Sequence, residues 1–160
     1  MKNLFLVLIV MLGFLGMGQA QDYQSAVGVR LGYPLSATYK MFLNETAAVE
    51  GYVGFRSRFG FTEIRVNAAY QIHNEIESVD GLKWYYGAGP GLALFSYKSG
   101  FVNDSGGIGI ALSGYIGLEY TLADTPVSFS ADWVPTYILG GVSGFGASSG
   151  AIAVRYILGR

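Results

Sequence analysis

The 160-residue chain contains no cysteine, which excludes a disulfide framework and thiol chemistry and leaves the redox compartment unread. Charge is scarce as well. Asp, Glu, Lys and Arg make up 13% of the residues, against roughly 25% in soluble domains, so something other than water is expected at much of the surface. Ten basic residues stand against eleven acidic ones with no block of either sign, which speaks against a nucleic-acid partner. A single histidine, His73, is present, so Ser-His-Asp or histidine-based metal chemistry has one place to sit. Past residue 20 there is no helical periodicity and no repeat. No stretch there approaches the roughly 20 apolar residues that a spanning helix needs.

What is abundant points to strands. The chain is 51% hydrophobic and 15% aromatic, with 24 glycines; aromatic residues suit a pleated strand, and glycine suits turns and close packing. Residues 1–20 read MKNLFLVLIVMLGFLGMGQA: one lysine, an apolar run from Leu4 to Leu15 and small residues at Gly18 and Ala20. That pattern is a secretory signal with cleavage expected after Ala20. It leaves residues 21–160 as one domain with nine basic and eleven acidic residues, net −2.

Alternation of apolar and polar residues runs through that domain, and the spacing predicts eight strands, over 25–33, 35–43, 47–56, 61–73, 82–97, 107–120, 127–137 and 149–158. In the fourth, Ile64, Val66, Ala68, Tyr70 and Ile72 share one face, while Glu63, Arg65, Asn67, Gln71 and His73 share the other. The composition of the polar faces decides between a soluble sandwich and a membrane barrel. They hold mainly Gly, Ala, Ser, Thr and Tyr, with one or two charges per strand. A water-facing sheet would carry many more charges, whereas small residues interleaved with Phe42, Tyr52, Tyr85 and Tyr115 suit a narrow barrel interior. Membrane insertion by strands requires a closed sheet. The expected fold is therefore all-β: an eight-stranded antiparallel up-and-down transmembrane barrel.

The apolar faces carry aromatics in two sets. With the N-terminus periplasmic, Tyr70, Trp84, Tyr120 and Tyr156 fall near the periplasmic end, and Tyr33, Phe55 and Trp133 near the outer one, as two interfacial belts would require. External turns are then expected at 33–34, 56–60, 98–107 and 139–150, and periplasmic ones at 44–46, 74–81 and 122–126.

The stretches GVRLGYPLSATYKMFL, AAVEGYVGF, GLKWYYGAGPGL, YIGLEY, ADWVP and AVRYILGR, in this order, resemble the small stand-alone outer-membrane β-barrel proteins of the eight-stranded OmpA/OmpX type. The resemblance covers nearly all of residues 21–160. It implies the outer membrane of a Gram-negative bacterium, lipid and the barrel-assembly machinery as partners, and no catalytic residue. Such chains usually end in an aromatic residue, often Phe; here Tyr156 is followed by ILGR.

Strand parity puts Arg30, Lys40, Glu50, Arg65, Glu119, Asp132 and Arg155 inside the barrel. Isolated charge in a confined lumen costs several kcal/mol, roughly, so this near-balanced set is expected to pair and fill the interior. The competing reading is a narrow ion or small-solute path. GAGPG at 87–91 lies within a strand with no helix after it, so it reads as lumen packing and not as a phosphate loop. His73, with Glu75, Glu77 and Asp80 close by in sequence, reads as part of a solvated acidic turn, because the spacing fits no calcium loop. A lipid-modifying enzyme, the rival from another class, would have to use that histidine. Lys98, Phe101, Tyr137 and Phe145 in the external loops are candidates for contact with an unknown ligand. No cofactor or metal is expected, and the chain reads as a monomer.

Overall fold

The computed structural model describes residues 23–32, 34–99, 102–139, 144–146 and 150–159, with the backbone alone at 58, 97–99, 102–106 and 145. The leader at 1–20, Tyr33 and Phe101 lie outside the described residues.

Among the described residues, ten strand segments form one antiparallel sheet. They are β1 (Ser25–Gly32), β2 (Leu35–Phe42), β3 (Ala47–Arg58), β4 (Phe61–Glu75), β5 (Leu82–Ser99), β6 (Val102–Thr121), β7 (Val127–Trp133), β8 (Thr136–Leu139), β9 (Gly144–Gly146) and β10 (Gly150–Gly159). Each pairs with its sequence neighbour through β7, and β10 pairs with both β7 and β1. The ring is therefore closed. Closure satisfies the backbone groups that an open edge would leave bare, which a bilayer cannot tolerate.

β7 and β8 are two halves of one barrel strand. Trp133 pairs with Ile116 and Thr136 with Ser113, so the register against β6 runs on without a slip. The interruption is Pro135, which has no N–H to give to the ladder; its carbonyl still accepts from Gly114 N at 2.9 Å. Eight barrel strands result, with β9 folded back against β8 near the end of the barrel opposite the termini.

The wall follows the side-chain period of two. Val29, Leu31, Leu92, Ile110, Ile116 and Leu118 are among the large apolar residues exposed on the outside, while Lys40, Glu50, Gln71, Tyr85 and Arg155 are fully buried inside. This inverts the burial of a soluble domain. A closed sheet with an apolar outer surface and a polar interior is a membrane barrel.

Crowding explains the glycines of β5. A Cβ at Gly89 would lie 1.8 Å from the Ala68 carbonyl oxygen, and one at Gly87 would lie 2.2 Å from that of Tyr70. No side chain fits there, and Asn67 and Gln71 of β4 occupy the space beside this bare stretch.

Several connections differ from the sequence reading. The β5–β6 hairpin keeps its ladder up to Ser99 and Val102, so the segment 98–107 is largely strand and not a loop. β3 and β4 run on to Arg58 and from Phe61, which reduces the expected turn over 56–60 to Phe59 and Gly60. Both have positive φ, 46° and 79°. The pairing energy of long neighbouring strands outweighs local turn composition in each case.

Candidate functional site

The interior is a stack of polar layers. Glu50 of β3 is the centre of the largest. One carboxylate oxygen accepts from Arg155 at 2.5 Å and from the Thr38 hydroxyl at 2.6 Å; the other accepts from Gln71 Nε2 at 2.8 Å. Arg30 of β1 stands between two acids, 3.2 Å from Glu50 and 2.8 Å from both oxygens of Asp132. The Tyr85 hydroxyl donates to Asp132 at 2.6 Å, and Arg155 donates to Ser130 Oγ at 2.8 Å. Glu50 and Arg155 have no exposed side-chain surface. Five strands thus contribute charge or amide groups to one cross-lumen cluster.

Toward the chain termini lies a second layer. Lys40 of β2 and the Tyr23 hydroxyl both donate to Glu119 of β6. Lys40 Nζ also lies 2.8 Å from His73 Nε2, and the His73 ring stacks on Tyr85 at 4.9 Å. Tyr23 packs edge-on against Phe42, which closes this end with Ile157.

The other end is more open. Arg65 donates to Glu63 Oε1, and Arg56 lies 3.3 Å from the second Glu63 oxygen. Tyr52 and Tyr115 meet hydroxyl to hydroxyl at 2.7 Å across the bore, with the Arg30 guanidinium 4.9 Å from the Tyr52 ring. Above them is a cavity of about 30 Å³ lined by Arg30, Ser36, Tyr52, Arg65 and Thr136, among others.

Of the seven interior charges read from parity, the structure brings Arg30, Glu50, Asp132 and Arg155 into one cluster, pairs Lys40 with Glu119 in another, and sets Arg65 against Glu63 in a third. Two buried charges were missed, Glu63 and Lys83. Both lie on the inward parity of their strands, and that signal was in the sequence. Tyr23, ahead of the first strand, left no such trace.

His73 requires a correction. It is not part of a solvated acidic turn: it is 1% exposed, and its partners are Lys40 and Glu119 inside the barrel. Its place on the inward parity of β4, which continues past it to Glu75, decides this. The described residues hold no group of three or more His, Asp or Glu side chains able to grip a metal ion.

Outside, Tyr70, Trp84, Tyr120 and Tyr156 are exposed in the parts of their strands nearer the turns at 43–46, 76–81 and 122–126 or the C-terminus. Phe55 is exposed three residues before the opposite end of β3; Trp133, expected near that same end, is exposed midway along the barrel strand that β7 and β8 form together, paired with Ile116. Trp84 and Tyr86 stack at 5.6 Å. Of the loop candidates, Tyr137 is exposed on β8; the side chains of Lys98 and Phe145 are among those not described.

No family model matches the chain, and no curated protein does. Among solved structures it is similar to the N-terminal β-barrel domain of Pseudomonas aeruginosa OprF, with a TM-score of 0.63 and 14% identity over 86% of this chain and 98% of that one. It is also similar to Neisserial surface protein A, NspA, with a TM-score of 0.55 and 18% identity over 84% of this chain and 93% of that one. At such identities the likeness lies in the backbone, and what it establishes is the fold: this chain is a closed eight-stranded barrel of the kind those two proteins build.

Proposed function

We propose that the protein is an integral outer-membrane barrel whose interior is plugged by its own side chains and whose role in the envelope is structural or surface-binding. The observation that carries this reading is the Glu50 cluster. A fully buried carboxylate receives two arginines, a threonine and a glutamine from four other strands, which ties opposite walls together across the bore. Eight strands leave an interior just wide enough for side chains to fill, and here charged groups fill it in compensated pairs. Such groups are costly to bury singly and costly to separate, so the plug holds itself in place. The outward aromatics near both ends of the strands would anchor the barrel at the two headgroup levels, and lipid is the partner its outer wall calls for. Export would follow the leader read over residues 1–20, and insertion would use the barrel-assembly machinery. The barrel end carrying the β8–β9 hairpin, with Tyr137, is where an external ligand would be met.

Planar-bilayer recording of the purified monomer tests the plug. The expected result is no stable large conductance in neutral potassium chloride. A steady open channel from the wild-type protein would overturn it.

A further inference from the structure

The rim of the barrel is uneven. β1 ends at Gly32 and β2 begins at Leu35, and each has eight residues. β3 runs three residues past Phe55, the partner of Leu35, and β5 and β6 stay paired up to Ser99 and Val102. A tilted strand needs about 9–11 residues to cross the hydrocarbon, so the β1–β2 hairpin forms a low sill. Its outer side is apolar to the top, where Leu31 and Leu35 are 59% and 55% exposed. Its inner side is polar at once. Pro34 and Ser36 are buried and lean over Gly54, where a Cβ would lie 2.5 Å from the proline ring and from the serine hydroxyl.

Directly behind the sill is the 30 Å³ cavity. Arg30, Arg65 and the hydroxyl residues Ser36, Tyr52 and Thr136 line it, and no carboxylate does among the described residues. Arg30 is balanced from below by Glu50 and Asp132. On the β3–β4 wall above it, Arg56 and Arg65 share the single carboxylate of Glu63. Positive charge is therefore in local excess beside the cavity, and guanidinium groups match the geometry of phosphate oxygens.

From this arrangement we infer that the phosphate of a bilayer lipid at this end of the barrel reaches over the β1–β2 sill and seats its oxygens in the cavity beside Arg65. Size selects the source of the phosphate. A water-sized atom needs about 10–15 Å³, so the cavity takes two oxygens and the rest of the ligand must stay outside. There it meets Leu31, Leu35 and the exposed Phe55 of the next strand, a surface for acyl chains and not for a free ion. The inference rests on the membrane-barrel reading, and its failure is distinguishable from the failure of that reading.

The experiment follows folded barrel in dodecyl maltoside micelles, which carry no phosphate, by NMR of the Arg65 Nε–H and of the Gly32, Ser36 and Ala151 amides. Dimyristoyl phosphatidylglycerol is expected to shift these signals saturably, dimyristoyl glycerol to leave them in place, and inorganic phosphate to act only at tenfold higher concentration or more. Arg65→Gln is expected to weaken the lipid at least tenfold. Ala151→Leu, which fills the cavity from β10 and touches no ion pair, is expected to do the same. No saturable shift with phosphatidylglycerol overturns the inference, as does an equal response to the uncharged lipid, saturation by inorganic phosphate at the same concentration, or lipid affinity unchanged in a folded variant. The three wild-type titrations decide the matter even if neither variant folds. A folded protein that stays dissolved without detergent would overturn the membrane reading itself, whereas a barrel that enters vesicles and shows none of these shifts overturns the headgroup site alone.

Discussion

Arg155 and Glu50, 105 residues apart in sequence, meet inside the barrel at 2.5 Å with neither side chain reaching solvent. Removing the acid leaves Arg155 with Ser130 as its remaining side-chain partner and deprives Arg30 of one of two carboxylates. Glu50→Ala is expected to destabilise the barrel by about 3–5 kcal/mol, the usual cost of stranding a buried charge. Urea unfolding from lipid vesicles, followed by the fluorescence of the two outward tryptophans, Trp84 and Trp133, measures it. Glu50→Gln, which keeps the shape and one acceptor, is expected to lose less.

Gly89→Ala tests the crowding of the β5 wall. The added carbon meets backbone and not a movable side chain, 1.8 Å from the Ala68 oxygen, so the strands must part. The expected outcome is loss of the compact, heat-modifiable form on a cold detergent gel. Gly107→Ala, on the neighbouring strand where a Cβ meets nothing within 4 Å, is expected to keep it.

Ile116→Arg tests which side sees lipid. Ile116 is exposed on the outer wall, between Tyr86 and Trp133 on the strands beside it. An arginine on the lipid face costs about 2–4 kcal/mol at the bilayer midplane and less toward the interfaces. A drop of this order in the lipid-vesicle unfolding free energy is expected. No change on substitution would mean that water already bathes this face.

Phe59→Gly tests the turn between β3 and β4. Phe59 is 94% exposed with φ at 46°, a conformation that costs an L-residue roughly 1–2 kcal/mol and glycine almost nothing. The substitution is expected to raise stability by up to about 1 kcal/mol in the same unfolding assay, since glycine also gains entropy when unfolded.

Much of this architecture was legible because a membrane barrel writes its pattern without interruption. Ile64 to Ile72 and Ile108 to Leu118 alternate cleanly, and parity alone separates lipid from lumen. Even at Pro135, where hydrogen bonding breaks, Asp132, Val134 and Thr136 stay on the buried side. The partners of each charge were less legible. His73 has three acids close by in sequence, yet it meets Lys40, 33 positions upstream, and Glu119 on β6, because register and not proximity along the chain selects neighbours in a sheet. Loop lengths failed for a related reason. The Gly/Ser-rich composition of 98–107 suggests a loop, but β5 and β6 continue to pair through it, and two aligned strands gain more by extending a ladder than local propensity takes away.

The pairing of β1 with β10 has a consequence for how this molecule comes into being. Ala26 lies against Ile157 and Leu31 against Ile152, so the cylinder's seam joins the earliest and latest portions of the barrel to leave the ribosome. Until β10 arrives, any partly assembled sheet has two raw margins and nothing to cap them. Closure of the cylinder is in that sense a single terminal event, completed only when β10 meets β1.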